Sequence, residues 1–154
     1  ACISLLNHAD RVKCACLAQL VNAIAPILTL PNGPAWRQTI FWPFADFSRH
    51  GRGTVLRATV ASPTYSTVYH DPRGATDIEY PLPEVPFLKA SAVRGEDGVL
   101  TLFLLNRSLD EEIAVTVSAA GLGTLSPGEA TTLRHDDLEA INTADAGPVA
   151  PTPL

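Results

Sequence analysis

Cys14 and Cys16 stand two residues apart, and four histidines occupy positions 8, 50, 70 and 135. A structural zinc site needs four closely spaced ligands, usually two such pairs. Here there is one pair, with histidines at unrelated spacings. Residues two apart on a strand share a face, so both cysteines are expected as small apolar packing groups, and no metal is assigned. Ser, Cys and His are all present without GxSxG or a comparable local signature, so a nucleophilic triad is not supported. Neither GxGxxG nor a Walker sequence occurs, and no cofactor is assigned. Glycosidic chemistry would need two carboxylates flanking the scissile bond. The available ones, Asp10, Asp46, Asp71, Asp77, Glu79 and Glu84, lie in polar, turn-like surroundings and read as solvated surface groups. Asp136 and Asp137 read as a loop start or cap. No catalytic residue is assigned to this chain.

The segment Trp36-Arg37-Gln38-Thr39 carries more information. It follows a Gly-Pro loop at the exit of an apolar run, where ligands meet an α/β sheet. Trp36 offers a planar apolar face, and the Gln38 amide offers both donors and an acceptor, which suits neutral hydroxyl-rich ligands. The same pattern also describes a buried Trp beside Arg37 in an ion pair.

The elements that would position these groups fall into two halves. In ACISLLNHADR, Cys2, Leu5, Leu6 and Ala9 share one helical face, with Asn7, His8, Asp10 and Arg11 opposite. Val12 to Leu17 reads as a strand buried on both faces, as in a helix-covered parallel sheet. After the loop LPNGPAW, Pro43 is tolerated only in a first turn, so a helix is expected from 41–43 to Gly51. A boundary at Gly51-Arg52-Gly53 divides residues 1–53 from 54–154. The second part alternates as strands do over 54–61, 65–69, 86–95, 99–106, 112–118 and 129–135. Glu96-Asp97-Gly98 signals a hairpin, and Asn106 to Glu111 closes the next pair. The expected fold is mostly β: an antiparallel β-sandwich with a core of Val55, Leu56, Phe87, Leu88, Leu102, Phe103, Leu104, Val115 and Val117.

Composition narrows the function classes. The 154 residues are 46% hydrophobic and 18% charged, and 13 Pro with 10 Gly suit short strands joined by turns. A net charge of −5 leaves no field to attract phosphate backbones, so no nucleic acid partner is expected. The run from Cys14 to Leu30 is uncharged but short of the roughly 20 residues of a membrane span. Gln19, Asn22 and Pro26 interrupt it, and no membrane is assigned. Three cysteines, an odd number, point to a reducing compartment. The chain lacks Met and begins inside an apolar pattern, as a piece of something longer would.

NHADRVKCACLAQLVNAIAPILT followed by GPAWRQTIFWPFADFSRHGRG resembles the α-L-arabinofuranosidases of glycoside hydrolase family 51, near the end of their catalytic barrel. VPFLKASAV, LTLFLLNRS and HDDLEAINTADAGPVAP resemble their C-terminal β-sandwich. The resemblance implies a retaining glycosidase on a (β/α)₈ barrel followed by a jelly-roll-like sandwich. Such an enzyme removes terminal arabinofuranosyl groups from polysaccharides and oligosaccharides, without a cofactor. Residues 1–53 then correspond to a short α/β remnant of the barrel, with Val12 to Leu17 as its eighth strand, and the isolated chain is expected to be inactive. Gln38 matches the family's arabinose-contacting glutamine, and Trp36 a residue of the same loop. Both catalytic glutamates lie on earlier strands, outside this sequence. Leu30-Pro31-Asn32 departs from a more polar family turn, and the chain is expected to stop before the last sandwich strand is complete. A cytoplasmic location is expected, in line with the cysteine count and with secretion left open, and a homo-oligomer of the intact enzyme is allowed. The alternative is a non-catalytic β-sandwich carbohydrate-binding module, for which Tyr65 and Tyr69 could share an exposed face.

Overall fold

The computed structural model describes residues 1–70 and 79–154. In chain order these form helix α1 (Cys2–Asn7), strands β1 (Ile27–Thr29) and β2 (Ala35–Arg37) and helix α2 (Phe41–His50). There follow β3 (Thr54–Leu56), β4 (Thr64–His70), β5 (Glu79–Pro86), β6 (Leu88–Arg94), β7 (Leu100–Asn106), β8 (Thr131–Thr132) and β9 (Thr152–Pro153). The named strands all pair antiparallel, as β1-β2, β3-β6-β7, β4-β5 and β8-β9. The chain is mostly β with antiparallel sheets, as its composition predicts.

The β3-β6-β7 sheet is the structural centre. Its middle strand, LKASAVR, is paired on both sides, and Ser91 and Val93 are fully buried. The Glu96-Asp97-Gly98 turn joins β6 to β7: Gly95 N–H donates to Val99 O at 2.9 Å, and Asp97 Oδ1 accepts from Val99 N–H at 3.0 Å. Gly98 takes φ 82, which a residue with a side chain rarely adopts. Both helices rest against this sheet. Asn7 Nδ2 donates to Ala90 O at 3.0 Å, and Lys89 Nζ donates to Ser4 Oγ. From α2, Phe47 stacks on Phe103 of β7 with ring centroids 3.9 Å apart. In α1 it is Ile3 that is buried, while Leu5 is exposed. The helix is therefore rotated from the face its Leu spacing suggests, because Ser4 and Asn7 find hydrogen-bond partners on β6.

Helix α2 begins at Phe41, so Pro43 lies in the first turn, where its missing N–H costs no bond. Arg49 stands in the last turn, its charge complementing the carbonyl end of the helix dipole. Gly51 N–H closes the helix on Phe47 O at 3.0 Å, and Arg52 Nε donates to Ser48 O at 2.9 Å. Gly53 takes φ 131, and a Cβ there would fall against the Arg94 carbonyl oxygen. Gly53→Ala is expected to destabilise the fold by about 1–3 kcal/mol, seen as a melting temperature several degrees lower. An unchanged melting temperature would contradict this account of the α2–β3 turn.

Other expectations are corrected. Val12 to Leu17 forms no strand and is largely exposed; among the described residues no neighbouring strand offers it a ladder. Residues 57–61 and 112–118 are likewise irregular, with Val115 and Val117 exposed, although Asn106 to Glu111 does turn, Asn106 Nδ2 donating to Glu111 O at 2.8 Å. Of the 129–135 run, only Thr131–Thr132 pairs. Leu102 and Leu104 are exposed because they alternate with Phe103, which takes the face under α2. Leu88 is buried as expected, and Val55, Leu56 and Phe87 are half-buried. Strand β5 was not anticipated. Its three prolines fit a strand paired on one side only, with a register shift between Tyr65 and Thr67 of β4. No helix among the described residues is long and apolar enough to cross a membrane.

Candidate functional site

The loop bearing Trp36 and Gln38 is held by a short hairpin. Leu28 pairs with Trp36, and Ile27 with Arg37. The turn closes through Leu30 N–H to Pro34 O at 3.1 Å, with Asn32 at φ 54, a conformation Asn tolerates better than most residues. Gln38 N–H donates to Pro26 O at 2.8 Å, extending the ladder by one residue. Phe41 N–H donates to Gln38 O at 3.0 Å, so α2 starts where the hairpin ends.

The side chains of Trp36 and Gln38 converge on one atom more than a hundred residues away. Trp36 Nε1 donates to Asn142 O at 3.0 Å, and Gln38 Nε2 donates to the same oxygen at 2.9 Å. The Asn142 side chain returns the connection: its Nδ2 donates to Arg37 O at 2.9 Å and to Val149 O at 2.8 Å, and its Oδ1 accepts from Val149 N–H at 3.0 Å. Trp42 Nε1 adds a bond to Val149 O at 2.9 Å. Asn142 is 4% exposed, and every polar atom of its side chain is satisfied, as burial requires. Beside this network lies an open cleft of about 360 Å³, lined by Trp36, Arg37, Trp42, Asn142 and Asp145 among others.

Among the described residues Arg37 has no carboxylate partner for the ion pair that the sequence allowed. Its guanidinium lies 5.0 Å from the Phe41 ring centre and 5.2 Å from that of Trp42, within cation–π range. Trp36 and Gln38 are both half-buried, and among the described residues no protein donor reaches Gln38 Oε1. The amide thus spends a donor on the protein and keeps its acceptor. Sequence reasoning missed Asn142, although an Asn beside Ile141 in an Ala/Pro-rich tail is itself a signal: it must find partners or face solvent.

Other sequence-level candidates are dispersed. Cys14 and Cys16 are exposed rather than packed in a core, with sulfurs 3.7 Å apart. The hydrogen bond between them, helped by Coulombic repulsion from a Cys14 thiolate, holds the Cys16 thiol above its ordinary range, which makes it a poorer nucleophile at neutral pH. Among the described residues no three His, Cys, Asp or Glu side chains gather as a metal site would require. Asp10 lies 3.9 Å from Arg11 with both side chains largely exposed, Asp46 is half-buried on α2, and Glu79 and Glu84 are exposed on β5. Asp71 and Asp77 lie outside the described residues. Asp137 Oδ1 accepts from Glu139 N–H at 2.9 Å, the local cap expected there. Tyr65 tilts onto Phe87 at 4.8 Å, while Tyr69 is exposed and 6.2 Å from Tyr80.

Residues 1–154 match the family described as "Alpha-L-arabinofuranosidase C-terminal domain". The chain is 46% identical over 144 residues to an exo-α-(1→6)-L-arabinofuranosidase of Bifidobacterium longum, covering 93% of this chain and 25% of the relative. It is 44% identical over 153 residues to an intracellular exo-α-(1→5)-L-arabinofuranosidase of Streptomyces lividans, covering 99% and 21% respectively. Among solved structures, a family 51 α-L-arabinofuranosidase from Bifidobacterium longum superposes with a TM-score of 0.78 at 38% identity, over 99% of this chain and 28% of that one. An α-L-arabinofuranosidase from Thermotoga maritima, solved with arabinose, does so at 0.78 and 27% identity, over 99% and 33%. The chain thus spans about a quarter of the length of the curated relatives it matches.

Proposed function

Because the chain belongs to the α-L-arabinofuranosidase C-terminal domain family, we propose that it is the C-terminal portion of a retaining α-L-arabinofuranosidase. In this reading residues 1–53 complete the catalytic barrel, residues 54–154 form the appended β-sandwich, and the acid/base and nucleophilic carboxylates come from preceding sequence. The substrate is a terminal arabinofuranosyl group on an oligosaccharide or polysaccharide, no cofactor is required, and the enzyme acts in the cytoplasm, as the names of several relatives suggest. The carrying observation is that the likeness runs through the whole chain, including the Trp36–Gln38 loop, in proteins named for one activity.

The surface supports a larger assembly. Its 11921 Å² of accessible area compares with roughly 7500 Å² for a compact monomer of this mass. Leu20 and Ile24 are each 71% exposed, and Leu138 is 75% exposed. Apolar side chains so placed would be covered if further polypeptide packed over them.

In the mechanism, Gln38 binds rather than reacts. Its acceptor oxygen takes a hydrogen bond from a sugar hydroxyl, and Trp36 walls the same loop, so that the glycosidic oxygen and anomeric carbon are held for carboxylates supplied elsewhere. In the enzyme translated from the full reading frame, Gln38→Ala should cost about 1–3 kcal/mol of binding. That is roughly five- to 150-fold in kcat/KM on an aryl α-L-arabinofuranoside. Because the amide also ties its loop to Asn142 O, stability should fall by about 1 kcal/mol as well. A lowered melting temperature with unchanged kcat/KM would remove Gln38 from the sugar site.

A further inference from the structure

We infer that Asn142 is a positioning residue for the sugar-binding loop: it clamps Trp36 and Gln38 to the C-terminal segment and fixes which end of the Gln38 amide meets the substrate. The inference rests on reading that loop as part of the arabinofuranosyl site.

A carbonyl oxygen has two lone pairs. Those of Asn142 O are both taken, by Trp36 Nε1 at 3.0 Å and Gln38 Nε2 at 2.9 Å. Only a donor can face a carbonyl, so the NH₂ end of Gln38 is turned to Asn142 with one of its two protons spent there, and Oε1 is turned to the other side. A free glutamine could flip its amide and present either end; this one cannot without breaking a part-buried bond. The Asn142 side chain holds the carbonyl in place by gripping the loop at Arg37 O and its own segment at Val149 N–H and Val149 O. Trp42 Nε1 donates to the same Val149 oxygen at 2.9 Å, anchoring the clamp to α2. One buried amide thereby joins the hairpin, the start of α2 and the C-terminal tail. The clamp accordingly presents Oε1, and in the inferred role Gln38 recognises a hydroxyl for the proton that hydroxyl donates.

The test uses the intact enzyme. Asn142→Ala removes the grip, and Asn142→Asp keeps the shape and the acceptor to Val149 N–H but turns both donors into an oxygen facing two carbonyls. Both variants should raise KM about five- to fiftyfold and leave kcat within about threefold, the signature of lost uniform binding. Added to Gln38→Ala, neither should cost much more, since the clamp acts through that residue. In Asn142→Asp, protonation restores one donor, so its KM defect relative to wild type should shrink from pH 7 to pH 5. On a panel of monodeoxy aryl arabinofuranosides, the hydroxyl whose removal no longer matters in Gln38→Ala should also cease to matter in Asn142→Asp. Lower melting temperatures with wild-type KM, or losses that multiply with that of Gln38→Ala, would overturn the inference while leaving the arabinofuranosidase reading intact. Wild-type kinetics for Gln38→Ala would overturn both the site assignment and the clamp, and absence of arabinose release by the intact wild-type enzyme would overturn the functional reading on which they stand. Should Asn142→Ala fail to fold, the pH dependence and the deoxy panel of Asn142→Asp decide alone.

Discussion

Incubated with an aryl α-L-arabinofuranoside, the purified 154-residue chain is expected to release no arabinose above the uncatalysed rate. Retaining hydrolysis needs a carboxylic acid to protonate the leaving oxygen and a second carboxylate about 5–5.5 Å away to attack the anomeric carbon. Asp10, Asp46 and the β5 pair Glu79 and Glu84 are mostly exposed, and none belongs to the Trp36–Gln38–Asn142 network. Enclosing a barrel active site takes about 250 residues, and residues 1–53 contribute one short hairpin and two helices. In the proposed role Gln38 binds and orients, but an amide neither supplies the proton nor forms the glycosyl–enzyme bond. Rate enhancements of at least about a millionfold are therefore forfeited. The intact enzyme, assayed beside the isolated chain, gives the scale. Turnover by the isolated chain that survives two unrelated purifications would place the catalytic carboxylates within these residues.

Local signals were read well where pairing is also local. Glu96-Asp97-Gly98 sits between two alternating runs, and the β6–β7 hairpin is there in full. Pro43 and Gly51 bracket α2 because each acts on its own backbone. The failures are those of elements whose fate depends on distant partners. Val12 to Leu17 carries the apolar content of a buried strand, yet a strand needs a ladder and the described residues supply none. The run 112–118 alternates correctly, and its valines are exposed for the same reason. Strand β5 was hidden by prolines, which forbid a central strand but not one bonded on a single side.

The site follows the same division. Trp36 and Gln38 could be picked out from residue chemistry and from the family likeness, because a tryptophan and an amide after a Gly-Pro loop are conspicuous. Their common partner could not, since a main-chain carbonyl has no sequence signature and Asn142 lies 104 positions from Gln38. What the sequence did offer was an Asn beside Ile141 in an Ala/Pro-rich tail. The structure converts that oddity into a requirement: a buried Asn with two donors must find two acceptors, and it finds them in Arg37 and Val149.

Val93→Asp is expected to abolish folding at neutral pH, the largest stability effect of any single substitution proposed for this chain. Val93 is fully buried on β6, directly opposite Val55 on one side and Thr101 on the other, so a carboxylate there meets no cation along the strand pairing. An unpaired buried charge costs several kcal/mol even after relaxation, against a total stability of about 5–15 kcal/mol. The protein's remaining option is to keep the acid protonated, which raises its folded-state pKa above the unfolded value near 3.9. The sign then follows: below the unfolded pKa neither state is ionised and the penalty is smallest, and as pH rises past it only the unfolded state gains charge, so stability falls. Val93→Ala removes packing without adding charge and should cost about 1–3 kcal/mol at every pH. The two variants separate burial of charge from loss of volume. Denaturant titrations between pH 3.5 and 7.5 should diverge for Val93→Asp and stay parallel to wild type for Val93→Ala. The consequence reaches the loop, because α2 rests on this sheet through Phe47 and Phe103 while its first turn is tied to Gln38 O. In the intact enzyme, Val93→Ala should therefore lower the temperature at which activity is lost while leaving KM below that temperature unchanged. A Val93→Asp chain that folds with wild-type stability at pH 7 would mean that this strand is not the buried centre of the sheet.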